Sequence, residues 1–222
     1  RQKREPRAQV FSFLDQRMAQ DLALEQPPAH PLLPNIPPHH MSEITITGKD
    51  GGRYIYGQPV YNITQKDVEF AVDIADQDDP NHVVPGYPGL IQYSPTDNSV
   101  ANVKGKDHYY SSSVTPAYAY AFLLTSVVSP DYSDVDNIRG PSDGDLGNYT
   151  KFTYDQVQDG FPWCAPVSPN VNQVARWNKG LEGDPTDDKA SYGCGEKEID
   201  HLRTIEGRNF IAVFNLNDDP DE

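Results

Sequence analysis

A stretch of alternating aspartates between residues 134 and 145 is the part of the sequence whose residue types and spacing best fit a chemical role. It reads Asp-Val-Asp-Asn-Ile-Arg-Gly-Pro-Ser-Asp-Gly-Asp. Calcium takes about six to eight oxygen ligands, and closely spaced carboxylates can supply several of them. The stretch therefore predicts a calcium site with Asp134, Asp136, Asp143 and Asp145 as ligands. An acidic turn in contact with solvent is the alternative.

The same stretch matches an EF-hand loop only in part. Asp134 and Asp136 stand at the first and third ligand positions, but Ile138 and Arg139 stand at the fifth and sixth. An EF-hand has a ligand at the fifth position, a glycine at the sixth and a glutamate at the twelfth. None of these three is present, so we expect an irregular site that Asp143 and Asp145 complete.

The two cysteines, Cys164 and Cys194, lie 30 residues apart. Three interpretations compete: a disulfide, two free thiols, or half of a metal site. A zinc site needs about four Cys or His ligands at short spacing, and neither cysteine has such a partner within four residues. We place the disulfide first and keep the two free thiols as its alternative.

Candidate catalytic groups are few. Cys194 precedes His201 by seven residues, and a thiol beside an imidazole is formally a nucleophile with its base. Nearness in sequence does not establish nearness in space, and carboxylates are too abundant for any one pair to be assigned as glycosidase-like. We therefore assign no catalytic residue and favour a protein that is not an enzyme.

The charge balance excludes two classes of partner. The chain has 18 Lys and Arg against 33 Asp and Glu, a net charge of −15. Such a surface repels phosphate backbones and anionic lipids. In addition, no apolar run reaches the roughly 18 residues of a membrane-spanning helix. We predict neither nucleic-acid binding nor a membrane span.

The elements that must position these residues divide at about residue 40. Residues 1–24 have apolar side chains close to helical spacing, which predicts an amphipathic helix. A proline-rich connector follows up to residue 40. We therefore expect residues 1–40 to be a helix with its connector, and residues 41–222 to be a β-rich domain from a larger chain.

Hairpins dominate the β-rich part. Ile44 and Ile46 alternate with polar residues, as do Tyr54 and Tyr56, and the turn sequence Lys49-Asp-Gly-Gly52 separates the two pairs. A third strand is predicted over Val68–Val72, and a final hairpin over residues 199–214. Residues 73–113 and 165–195 have the composition of long loops. The fold class is thus mainly β, with hairpins in a meander.

One buried helix is predicted near residues 116–128. Thr115-Pro116 resembles a helix N-cap followed by proline at the first helical position. The run from Ala117 to Val128 is apolar on nearly all sides, as a buried helix would be. A pair of central strands is the alternative, since periodicity does not decide the structure of a short apolar run.

Several segments together resemble one group of proteins. They include Pro37-Pro-His-His-Met-Ser-Glu-Ile44, Thr115-Pro-Ala-Tyr-Ala-Tyr-Ala-Phe-Leu-Leu124, Ser129-Pro-Asp-Tyr132 and Asp143-Gly-Asp-Leu-Gly147. In this order they are similar to a stretch of very large secreted proteins of Bacteroidota, which look similar to Rhs/YD-repeat and toxin-complex shell proteins. The resemblance covers roughly residues 35–217 and implies an Rhs-like arrangement of β-hairpins.

The resemblance also implies a location. The location is extracellular or at the cell surface, where disulfides persist; Cys164 and Cys194 stand where the relatives have Arg and an aromatic residue, as expected of a disulfide particular to this chain. The hairpins, the acidic surface and the missing catalytic constellation favour a non-catalytic structural or interaction module, with neighbouring segments of the same large protein or other surface proteins as partners. The alternatives are a calcium-dependent adhesin and a toxin-associated or hydrolase-like unit that uses carboxylates or Cys194 and His201.

Overall fold

The computed structural model describes residues 9–21, 36–73, 84–87, 89–136, 138, 140–167, 173–179 and 188–216. These residues are mainly β, joined by antiparallel pairing in an open sheet, with one short helix. The chain divides into two compact units. Unit 1 consists of Arg1–Asn62, Tyr118–Gly160 and Glu198–Glu222, and unit 2 consists of Ile63–Ala117 and Phe161–Lys197. The prediction of a mainly β protein is confirmed.

The described elements follow one another along the chain in a simple order. They are β1 Val10–Asp15, α1 Gln16–Asp21, β2 Met41–Thr47, β3 Arg53–Tyr56, β4 Gln58–Ala71, β5 Leu90–Gln92, β6 Tyr110–Thr115, β7 Tyr118–Leu123, β8 Ser126–Val128, β9 Tyr149–Ala165, β10 Val174–Lys179, β11 Asp188–Gly207 and β12 Phe210–Val213. The three longest strands, β4, β9 and β11, contribute residues to both units.

In unit 1 the two predicted hairpins are confirmed. β2 and β3 pair with Ile44 opposite Tyr56 and Ile46 opposite Tyr54, so the residues that alternate in the sequence share a face of the sheet. The turn closes with a hydrogen bond from Gly48 N–H to Gly52 O of 2.8 Å. β11 and β12 form the second hairpin, in which Gly207 pairs with Phe210.

The N-terminal helix prediction is wrong for Val10–Asp15, which form strand β1. This strand pairs antiparallel with β2, from Val10 opposite Thr47 to Phe13 opposite Ile44. The apolar residues have helical spacing, but a short isolated helix is only marginally stable and helix propensity is small per residue. Hydrogen bonding to the neighbouring strand is therefore the more stable arrangement. Only α1 is helical among the described residues before Met41. The rest of the predicted helix and most of the connector lie outside the described residues.

The buried helix predicted near residues 116–128 is also wrong, because the segment forms β7 and β8. β7 pairs with the first part of β4, from Gln58 opposite Leu123 to Asn62 opposite Tyr118. Tyr and Ala alternate over 118–121, and this period of two suits a strand. Thr115, predicted as the helix cap, instead ends β6 opposite Gln65.

Unit 2 has its own hydrophobic core. Side chains from β4, β5, β10 and β11, and from Val72 just after β4, form it, namely Val68, Phe70, Val72, Ile91, Ala175 and Ala190, with Tyr93, Tyr110, Trp177 and Tyr192 packed around them. The strand predicted over Val68–Val72 is confirmed up to Ala71, where β4 ends. The stretches predicted as long loops, 73–113 and 165–195, contain β5, β6, β10 and the start of β11. These strands are short or flanked by polar residues, so the amino-acid composition of the two stretches did not indicate them.

Candidate metal centre

The acidic stretch lies in unit 1, in the loop that connects β8 to β9. The N–H of Ser129 donates to Asn148 O at 2.9 Å, and Ser133 and Leu146 exchange two backbone hydrogen bonds of 3.1 and 3.0 Å. These bonds close the base of the loop. They bring the two ends of the predicted ligand stretch next to each other, which the sequence spacing alone does not guarantee.

Asp145 is the centre of this loop, and its side chain is only 3% exposed. Its Oδ2 accepts hydrogen bonds from the Tyr132 hydroxyl at 2.7 Å and from Ser142 N–H at 3.0 Å, and its Oδ1 accepts one from Val135 N–H at 3.0 Å. These donors, Tyr132 first, hold the pKa of Asp145 below its ordinary value. Burial, together with the same carboxylate, raises the pKa of Tyr132.

Three of the four predicted ligands come together. One oxygen from each of Asp134, Asp136 and Asp145 lies within 4.8 Å of the other two. Asp136 also accepts hydrogen bonds from Ile138 N–H at 2.8 Å and from the Ser142 hydroxyl. Asp143 is not part of this group, because its Oδ1 accepts a hydrogen bond of 2.8 Å from the Tyr149 hydroxyl.

Two arginines hold the backbone of the loop. Arg53 donates from Nη2 to Tyr132 O at 3.1 Å, and its guanidinium lies 5.6 Å from the centroid of the Tyr132 ring. Arg208 donates from Nε to Gly147 O at 2.7 Å and from Nη2 to Asp145 O. Both arginines therefore donate to backbone carbonyl oxygens of the loop. These contacts leave the grouping of the aspartate carboxylates intact.

The spacing of the three carboxylates allows them to share one metal ion. Oxygens that share one calcium lie at most about 5 Å apart, which is twice the usual calcium–oxygen distance, and the three carboxylate oxygens all lie within 4.8 Å of one another. The same carboxylates also accept hydrogen bonds from the loop itself, at Asp136 and Asp145. The three carboxylates are therefore compatible with a bound calcium ion. They are equally compatible with an acidic turn that is held by hydrogen bonds from N–H and O–H groups of the loop.

Residues 140–144 read Gly-Pro-Ser-Asp-Gly, which matches the nucleophile motif of α/β-hydrolases. That motif needs a sharp turn from a strand into a helix, whereas Ser142 lies in an irregular loop between two strands. Its hydroxyl donates to Asp136 and accepts from Gly144 N–H at 3.0 Å. Ser142 therefore organises the loop and lacks the setting of a hydrolase nucleophile.

In unit 2 the two cysteines form a disulfide, so the first of the three sequence interpretations agrees with the structure. Cys164 on β9 is bonded to Cys194 on β11, and neither cysteine is free. The two free thiols and the half metal site are therefore wrong for this structure. Cys194 cannot act as a nucleophile with His201 as its base while its sulfur is bonded to Cys164.

A buried polar network in unit 1 has no signal in the sequence. Glu198 on β11 is 4% exposed. It accepts hydrogen bonds from Tyr61 N–H and, at 3.2 Å, from Gln156 Nε2, and its own backbone carbonyl accepts one of 2.9 Å from the Tyr120 hydroxyl. Its partners come from strands β4, β9 and β7. Only the tertiary pairing of these strands assembles the network, so sequence spacing could not have identified it.

The chain matches no family model, no curated protein and no solved structure. Among the residues that the structure describes, no helix is long and apolar enough to cross a membrane. The functional conclusion therefore rests on the residues and the geometry of this chain.

Proposed function

We propose that this chain is a non-catalytic structural module of a secreted cell-surface protein, and that its edge strands pair with neighbouring β-segments of that protein. The observation that supports the proposal best is the pair of apolar edge strands in unit 1. The disulfide is consistent with an extracellular location, since such bonds persist in oxidising surroundings.

The two edge strands, β1 and β12, each pair with one described strand. β1 pairs with β2, and β12 pairs with β11. Both expose large apolar side chains that are each more than half accessible to solvent: Val10, Phe11 and Phe13 on β1, and Phe210, Ile211 and Val213 on β12. On β12 all four residues are exposed, so this strand presents apolar side chains on both of its faces.

An unpaired strand edge with apolar side chains is unusual in a protein that acts alone. Its free N–H and C=O groups are a template for another strand, and natural proteins commonly protect such edges with lysines, prolines or bulges. The described residues of β1 and β12 include no lysine and no proline, and the one register shift of β1, between Leu14 and Asp15, lies at the end of the strand, away from Val10, Phe11 and Phe13. A neighbouring β-segment would satisfy these backbone groups and cover the apolar side chains.

The edge strands predict self-association of the isolated chain, because a second copy can replace the natural neighbour. The double variant Phe13→Lys/Ile211→Lys places a charge on each edge and should shift association to at least about tenfold higher protein concentration, equivalent to about 1.4 kcal/mol. Light scattering over a concentration series measures this shift, and thermal melting verifies that the variant is folded.

Val100→Lys is the matched control, because Val100 is 92% exposed and lies outside any strand. It should associate like the original chain. The proposal is wrong if the original chain stays monomeric up to its solubility limit. It is also wrong if all three proteins associate equally.

A second candidate is a calcium-stabilised form of the same module, which the grouping of Asp134, Asp136 and Asp145 favours. A ligand that binds only the folded state stabilises it by roughly 2.7 kcal/mol at a concentration of about one hundred times its Kd. Calcium should therefore raise the melting temperature by several degrees relative to a chelator. Asp134→Asn should abolish the increase and Asp143→Asn should retain it, whereas equal melting with calcium and with chelator would contradict the candidate.

A further inference from the structure

A polar groove lies on unit 2, on the sheet surface opposite the hydrophobic core. Its cavity volume is about 520 Å³, within the range of roughly 300–1,000 Å³ that is typical of small-ligand sites. The polar side chains that line it are Asp67, Glu69, Ser111, Ser113, Arg176 and Ser191. None of these residues belongs to the metal centre or to the edge strands, so the groove is independent of the proposed function.

Strand register explains why these side chains share one surface. Val68 and Phe70 on β4 point into the core, so Asp67 and Glu69 point to the other side. Ser113 pairs with Asp67 and Ser111 pairs with Glu69 on the adjacent strand β6. On the other side of the groove Arg176 of β10 pairs with Ser191 of β11.

The groove keeps charged groups available for a ligand. Within the part of the chain that the structure describes, the side chains of Glu69 and Arg176 form no hydrogen bond and no ion pair with another residue. Asp67 accepts from Gln65 Nε2 at 3.0 and 2.8 Å, which fixes its carboxylate. The groove thus offers strong acceptors, a bidentate donor and several hydroxyls that can do either.

The indole of Trp163 lies next to the groove, beside the lining residue Gly193. A Cβ atom added at Gly193 would lie 2.6 Å from Asp67 Oδ1, with Cη2 of Trp163 at an ordinary contact distance of 4.0 Å. One added at Gly195 would clash with Thr64 O and lie 3.1 Å from Nε1 of Trp163, so the missing side chain at Gly195 lets β11 approach both the β4 backbone and the indole. The adjacent Cys164–Cys194 disulfide fixes β9, which carries Trp163, against β11.

We propose that this groove binds a neutral saccharide. The carboxylates of Asp67 and Glu69 accept hydrogen bonds from sugar hydroxyls, Arg176 donates to hydroxyl and ring oxygens, and an apolar sugar face packs on Trp163. Two carboxylates against one guanidinium disfavour an anion, as does the net charge of −15. The guanidinium disfavours a cation, and the polar lining disfavours an apolar ligand.

The test is a titration of the oxidised chain with glucose, galactose, mannose, N-acetylglucosamine and their common disaccharides, with glucuronate and inorganic phosphate as anionic probes. Tryptophan fluorescence reports on the groove where its change is lost in Trp163→Ala, which leaves Trp177 as the other indole, and calorimetry gives the Kd. At least one neutral sugar should bind. Trp163→Ala and Glu69→Gln should each weaken it about tenfold or more, the equivalent of about 1.4 kcal/mol.

The matched controls are Tyr87→Ala, an exposed aromatic residue, and Glu196→Gln, an exposed glutamate, neither of which lines the groove. Both should bind like the original chain. Among the described residues Glu69→Gln removes no side-chain hydrogen bond and no ion pair, so it remains informative even if Trp163→Ala is unstable. The proposal is overturned if no neutral sugar binds at millimolar concentration, if only the anionic probes bind, or if Glu69→Gln binds as tightly as the control variants.

Discussion

At the scale of single residues, the buried Asp145 carboxylate shapes the loop between β8 and β9 through its hydrogen bonds. Its two oxygens accept from a tyrosine hydroxyl and from two backbone N–H groups. A buried carboxylate is costly unless such donors satisfy it. The hydrogen bonds therefore explain both the low pKa of Asp145 and the position of Asp134 and Asp136 beside it.

The depressed pKa of Asp145 predicts how the stability of the loop depends on pH. A carboxylate with a lowered folded-state pKa stabilises the protein above its ordinary value of 3.8, and this contribution is lost as pH falls through the folded-state pKa. Asp145→Asn should therefore cost most near neutral pH, and its cost should shrink below about pH 4. Urea unfolding over a pH series measures the difference. The exposed Asp131→Asn is the control, and a cost that does not change with pH would contradict the assignment.

Gly147 closes the same loop at a point where no side chain fits. Its φ is +84°, and an added Cβ would lie 2.6 Å from Tyr132 Cα. Gly140 has a similar φ of +80° but nothing within 4 Å of an added Cβ. Gly140→Ala should cost about 1–2 kcal/mol from the backbone alone, and Gly147→Ala should cost about 1–3 kcal/mol more from the clash. Equal losses in urea unfolding would show that the loop relaxes around the methyl group.

At the scale of elements, the disulfide joins β9 to β11 within unit 2. Closing a loop of 30 residues stabilises a folded chain by about 3–4 kcal/mol in the chain-entropy description. The double variant Cys164→Ala/Cys194→Ala should lose about this much in urea unfolding. A reductant should destabilise the original chain and leave the variant unchanged. An equal effect of the reductant on both proteins would mean that the disulfide does not carry the difference.

Elements were predictable from the sequence where the signal was local. The β2–β3 hairpin followed from alternating side chains and the Asp50-Gly51 turn, both of which act over a few residues. The segment 116–128 was not predictable, because a short apolar run suits a buried helix and a buried strand alike. Its pairing with residues 58–62, far away in the sequence, decides between them.

The candidate sites, too, were predictable where their residues are close in sequence and not where they are distant. Three of the four predicted aspartates meet because the Ser133–Leu146 bridge folds one short stretch back on itself. The polar groove and the Glu198 network escaped prediction, because each gathers residues from strands that are distant in sequence. A single sequence contains no record of which distant strands pair, and that pairing creates these sites.

At the scale of the whole molecule, net charge and edge strands act in opposite directions. A charge of −15 keeps copies of the chain apart through mutual repulsion. The apolar edges β1 and β12 favour close pairing with another strand. Repulsion between exposed charges is screened by salt, whereas apolar contact is not. Association through the edges should therefore increase with ionic strength, and the light-scattering series can include this variable.

The division of the chain into units has a consequence for recombination. The chain passes between the units at four points, near residues 62, 117, 160 and 197. No uninterrupted gene segment encodes either unit alone, because a segment that spans residues 63–197 also encodes residues 118–160 of unit 1. A single crossover within residues 63–197 would therefore build each unit from segments of two different parents.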